Sequence, residues 1–245
     1  NLTVAASKTA TVNDDVTVAS NITLNNSSTL DVINNSAMTV SGTIRENGGS
    51  ATNTAITVKF NTADTAPSKV TFSGTVTADS IKVGDAAAAT YAGYAHFTGS
   101  GGVSVGEARV TSGDHANEYS TMQFDYAVTA SDQIVINDKN STAYQAYLIF
   151  SENNTATIAA DINVSGHADD EGTLQVTGTL KTFSGAIGTT RIDALDIDAA
   201  VSFSSSVATT TATVDGAINT AASLNVSTTS TLAANVTTTG IQTYT

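Results

Sequence analysis

Met38-Thr-Val40-Ser-Gly42-Thr-Ile44 reads as a short strand, a corner and the opening of a second strand. Successive side chains of a strand point to opposite faces, so Met38 and Val40 share one side and Thr39 takes the other. Gly42 can adopt positive φ at a sharp bend, and Ile44 then turns inward on the following face. The same arrangement returns at Val70-Thr-Phe72-Ser-Gly74-Thr-Val76, Ile162-Asn-Val164-Ser-Gly166 and Leu174-Gln-Val176-Thr-Gly178-Thr-Leu180. Shorter apolar-x-apolar units carry the pattern outward. Val16-Thr-Val18, Ile22-Thr-Leu24 and Leu30-Asp-Val32 precede these motifs, while Val201-Ser-Phe203 and Leu224-Asn-Val226 follow them. Strands this short cannot enclose a core alone; they bury their apolar residues by stacking on copies of themselves.

The fold class that follows is all-β: a parallel β-helix, or β-solenoid, spanning 1–245 as one domain. Coils of about 22 residues, each with three short strands, are expected. On that period Val16 and Val18 lead to Met38 and Val40 and then to Phe60. Likewise Ile81 and Val83 lead to Val103 and Val105, and Val214 and Ile218 to Val236 and Ile241. Residues 90–150 depart from the simple repeat and read as irregular, Tyr-rich coils or an insertion. Pro67, the single proline, marks a loop or corner.

Composition narrows the function classes. Hydrophobic residues make up 40% but aromatic residues only 6%, with no Trp, which suits a thin interior of Val, Ile, Leu and Ala. Charged residues are 13%, so Thr, Ser, Asn and Gly carry the polar surface. The net charge of −13 repels phosphate backbones and anionic lipid, arguing against nucleic-acid binding. No apolar run of about 18 residues occurs, so membrane insertion is not expected either. With no cysteine there is neither a disulfide framework nor a thiolate site. The chain starts at Asn1 and reads as a mature form whose export signal lies outside it.

Both ends of the sequence read as strands in mid-coil. Leu2 and Val4 open one strand, and Ile241 and Tyr244 belong to another. Edges of this kind present unpaired N–H and C=O groups. They imply either a longer solenoid or subunits that associate head to tail, with these four residues at the contact.

Val236-Thr-Thr-Thr-Gly240-Ile-Gln-Thr-Tyr-Thr245 resembles the repeats of bacterial surface proteins of the haemagglutinin-like β-strand-repeat kind, and Leu174 to Ile187 is similar in style. The resemblance implies a secreted right-handed parallel β-helix at the cell surface, acting in adhesion, an extracellular fibre or a surface layer.

Two sets of side chains are candidates for chemistry. Asp196 and Asp198 share one face of a strand, where like charges are unfavourable unless a cation or partner offsets them. Asp169 and Asp170 form a second acidic pair, and calcium is the ion such hard oxygens would take. Six of the seven tyrosines, Tyr91, Tyr94, Tyr119, Tyr126, Tyr144 and Tyr147, lie in the irregular region. They could pack inside or present an aromatic surface to a glycan or a neighbouring subunit. Ser165-Gly-His167-Ala-Asp169-Asp170 and Arg191-Ile-Asp193 are faintly similar to motifs of galacturonan hydrolases of the β-helix fold. The His precedes the acidic pair and Asp193 stands where a lysine is required, so no catalytic residue is assigned. The expectation is a non-enzymatic structural or adhesive protein. Its alternative is a glycan-binding or glycan-cleaving β-helix using the Tyr-rich region and the acids Asp114 and Asp125.

Overall fold

Three faces wind repeatedly around one apolar column. The computed structural model describes residues 1–13, 17–33, 37–47, 53–59, 69–84, 92–112, 119–137, 145–152, 155–164, 171–179 and 181–245. Their 24 strands belong to one sheet, each paired in parallel with a strand one coil away. The chain is therefore the all-β parallel solenoid that its short strands dictate.

The first face carries Leu2, Ile22, Ile44, Val76, Val103, Val128, Ile158, Phe183 and Phe203 directly above one another. Two further rungs continue it through Val201, Ile218 and Val236. The second face stacks Val12, Val32, Val58, Val83, Val110, Ile136 and Val164, then passes from Ile162 to Ile187, Val207, Leu224 and Gln242. The third runs from Val18 through Val40, Phe72, Phe97, Phe124 and Phe150 to Val176, Ile197, Val214 and Leu232. Inward side chains from all three faces form one core cluster reaching from Val4 to Val226.

Coil length is not constant. From Leu2 to Val236 ten steps cover 234 residues, about 23 per coil. The third face, however, takes 22 residues from Val18 to Val40, 32 from Val40 to Phe72 and 17 from Ile197 to Val214. A fixed 22-residue period therefore finds Val18 with Val40 but misplaces the middle. Val83 pairs with Val110 instead of Val105, and Val40 pairs with Phe72; Phe60 lies outside the described residues. Parallel pairing fixes each strand against its counterpart, whereas a corner can take extra residues without shifting the ladder. Strands from the irregular region, Tyr94–Phe97, Tyr119–Phe124 and Gln145–Phe150, are rungs of the same stack.

Phenylalanine fills the wide middle. Phe72, Phe97 and Phe124 stack with ring centroids 4.9 Å apart, and Phe150 follows at 5.7 Å. Phe150 then meets Phe183 edge-on at 5.0 Å, carrying the column across to the first face and on to Phe203. The spacing follows the rung spacing, which lets face-on rings sit in near-offset contact.

The corner glycines have a different cause from the one expected. Neither Gly42 nor Gly74 has positive φ. A Cβ on Gly74 would lie 2.4 Å from the Gly42 carbonyl oxygen, and one on Gly99 would lie 2.3 Å from that of Gly74. Backbones of successive coils pass so closely there that only hydrogen fits. Amides line another corner, where Asn25 Nδ2 donates to the Val4 carbonyl at 2.8 Å and Asn47 Nδ2 to Asn25 Oδ1 at 2.6 Å.

Truncating Phe124 to Ala removes the middle ring of the stack and is expected to destabilise the fold by about 3–5 kcal/mol. Gly74→Ala should cost about 1–3 kcal/mol through backbone displacement alone. Chemical denaturation measures both; an unchanged midpoint for either variant would contradict the packing described.

Candidate functional site

The outward side of the third face gathers most of the side chains singled out above. Alternation points Phe97, Phe124 and Phe150 inward and sends their neighbours outward. The outward row through the strand centres runs Thr71, His96, Gln123, Ile149, Gln175, Asp196 and Thr213. Beside it run Tyr94, Thr121, Tyr147 and Thr173, with Tyr119 set next to Gln145. Tyr94, Tyr119 and Tyr147 thus occupy three consecutive rungs, about 4.8 Å apart. The Tyr119 and Tyr147 rings lie 6.0 Å apart, tilted by 56°, and Tyr119 is 36% exposed. Tyr126 sits at the next corner, half-buried beside the turn of Gly99 and Gly102. Tyr91 and Tyr144 lie outside the described residues.

A polar chain crosses these rungs. Tyr94 donates its hydroxyl to Gln123 Oε1 at 2.5 Å, and Gln123 Nε2 donates to Ser151 Oγ at 2.7 Å. Ser151 Oγ in turn donates to Asp125 Oδ1 at 2.5 Å. His96 Nε2 lies 2.8 Å from the same carboxylate oxygen. Asp125 is buried, and its backbone carbonyl accepts the Lys181 ammonium at 2.9 Å. Burial raises the Tyr94 hydroxyl above its ordinary pKa, and the Asp125 carboxylate pushes it the same way. Burial lowers Lys181, which points inward at a lumen position, while Asp125 and Glu152 oppose that shift. The arrangement holds no activated nucleophile. Ser151 and His96 both address Asp125 and not each other, so the imidazole is not placed to take the Ser151 proton.

Farther along the same face lie the acids. Gln175 Nε2 donates to Asp196 Oδ2 at 3.0 Å and approaches Asp198 Oδ2 at 3.5 Å. Burial pushes the Asp196 carboxyl above the usual carboxylate range, as do the charges of Asp198 and Asp215, against the pull of the Gln175 bond. Asp169 and Asp170 are outside the described residues. Among the described residues no three His, Cys, Asp or Glu side chains are grouped to hold a metal ion. Of the end residues, Leu2 is 36%, Ile241 76% and Tyr244 38% exposed, whereas Val4 packs into the core.

Sequence alternation brings out the tyrosines as a set. Gln123, Ser151, Gln175 and Lys181 escape it, because their partners lie 21 to 56 residues away at an offset set by local coil length.

Asp196 binds its proton to higher pH in the folded than in the unfolded chain, so its contribution to stability falls as pH rises through the carboxylate range. Asp196→Asn should therefore stabilise the protein at pH 7, by a few tenths up to about 1 kcal/mol. The gain should shrink as pH falls through the unfolded carboxylate range and be gone by about pH 3, where both states are largely protonated. Urea melts at pH 7 and pH 3 test this; a pH-independent difference would contradict it.

Comparison with protein-family models, curated proteins and solved structures yields no match.

Proposed function

We infer that this protein is a structural, adhesive rod of a cell's exterior, secreted and assembled end to end into a fibre or surface layer. One observation carries the reading: parallel pairings link every coil to the next among the described residues, from the strand Leu2–Val4 to the strand Gln242–Tyr244, around a single apolar column. At about 4.8 Å per rung it makes a rod of roughly 50 Å. Bending such a rod strains hydrogen bonds on all three faces at once, which is the property a fibre or spacer needs. Low charge and outward Thr, Asn and Gln rows suit contacts made by hydroxyls and amides. Antibody raised to the chain should label intact cells of the source organism, and deletion of the gene should remove a surface fibre or layer. Labelling confined to lysed cells would overturn the reading.

A second reading, a neutral glycan lying along the third face, is favoured by Tyr94, Tyr119 and Tyr147 on consecutive rungs beside Gln145. Aromatic faces stack on the apolar faces of sugars, and amides address their hydroxyls. On a glycan array the wild type would then bind, and Tyr119→Ala and Tyr147→Ala would each weaken binding about tenfold. No binding by the wild type removes this reading.

A further inference from the structure

We propose that the corner between the first and second faces, on the coils that carry Ser28, Thr54 and Asp79, is a calcium site. Its ligands are the carboxylates of Glu46 and Asp79 and the buried hydroxyls of Ser28 and Thr54. The site lies within a single folded chain and is independent of end-to-end assembly.

Glu46 stands in an apolar column. Val4, Leu24 and Glu46 lie directly above one another on the first face, and Val4 and Leu24 belong to the core cluster. On the following coil Val76 pairs with Ile44, so the small, buried Ala78 continues that column. Burying a charge is costly unless a partner or a metal ion answers it. The ion pairs among the described residues join Lys59 to Asp31, His96 to Asp125 and Arg109 to Glu107, and none includes Glu46.

A second carboxylate arrives at the same place. Thr54 Oγ1 donates to Glu46 Oε1. Asp79 Oδ2 accepts the Thr54 N–H at 2.8 Å and stands 3.3 Å from Thr54 Oγ1, which itself accepts the Asp79 N–H at 2.9 Å. A hydroxyl has one proton and cannot serve both acids. Two like charges therefore meet at one oxygen, with no basic side chain paired to either among the described residues. The pair farther along the stack differs, because the Gln175 amide reaches both Asp196 and Asp198.

Ser28 points to an ion independently of the acids. It is wholly buried, and its hydroxyl has no hydrogen-bond partner. Buried hydroxyls are normally satisfied. The Ser28 carbonyl accepts the Ala55 N–H, and the Thr54 carbonyl accepts the Ser80 N–H, each at 2.9 Å. Ser28, Thr54 and Asp79 thus occupy one position on three successive coils. Ser27 and Asn53, just before the first two, have φ of 54° and 60°, so the chain enters both corners alike and turns both buried side chains inward. Register sets Ser28 one rung, about 4.8 Å, beneath Thr54. An ion midway between hydroxyls at that spacing would lie about 2.4 Å from each, within the calcium–oxygen range.

The donor set selects the ion. Glu46 Oε2 and Asp79 Oδ1 accept from no described residue and remain to coordinate. Every donor is a hard oxygen, and two acids with two hydroxyls make an irregular shell that water can complete. Calcium tolerates such a shell, whereas magnesium demands a near-ideal octahedron.

The test uses the whole chain, stripped with EDTA and titrated with calcium by calorimetry. One calcium per chain is expected, and the urea midpoint should rise when it is bound. Glu46→Gln and Asp79→Asn should each weaken binding about tenfold or more, while Asp196→Asn leaves it unchanged. Ser28→Ala separates an ion site from a purely structural cluster. It deletes a hydroxyl that makes no hydrogen bond, so the calcium-free protein should unfold at the same urea concentration or a higher one. Its calcium affinity should nevertheless fall about tenfold. Wild type that binds no calcium at millimolar concentration overturns the site, as does an affinity unchanged by Ser28→Ala and Glu46→Gln. Binding lost in Asp196→Asn would assign the ion to that pair and overturn the site as well. A Glu46→Gln variant more stable than a calcium-indifferent wild type would show that a shared proton, and not an ion, reconciles the two carboxylates.

Discussion

Parallel pairing between coils is the constraint from which the rest follows. Each residue of a rung sits directly on its counterpart one coil away, so inward positions meet inward positions and outward meet outward. An apolar side chain then lies on an apolar one, and rings can stack on rings, as Phe72, Phe97 and Phe124 do. A charge in the lumen has to be answered within the stack, which is how Lys181 comes to reach the Asp125 carbonyl two coils away. The corner glycines belong to the same constraint, because a tight stack leaves no room for a Cβ between Gly42 and Gly74.

Much of this was legible in the sequence. Met38-Thr-Val40-Ser-Gly42-Thr-Ile44 is strand, corner and strand in the fold, since two-residue alternation is a local property. The match of Val18 to Val40 was legible too, because that coil happens to be 22 residues long. Pairings in the middle were not, because coil length there depends on how many residues a corner holds, and a corner leaves no periodic trace. Val83 and Val110 are both plain inward valines, and nothing in either names the other. The reason for glycine at Gly74 was equally hidden, being steric and set by the coil beneath it.

The outer surface shows the same division. That Tyr94, Tyr119 and Tyr147 would cluster could be read from their number and alternation. Separating tyrosine outside from phenylalanine inside needed the register. So did the chain from Tyr94 through Gln123 and Ser151 to Asp125, which joins three coils by bonds between residues 26 to 29 positions apart.

Coils of 25 to 27 residues from Val40's successor Phe72 up to Val176 give way to coils of 17 and 18 at the C-terminal end. Every rung adds the same height, so mass per unit length changes along the axis. The first coil is short as well, 20 residues from Leu2 to Ile22, so the stack is thickest in its middle and its polarity comes from the parallel strands. Any cable spun from such units would carry an arrow, with growth and breakage free to differ between its tips.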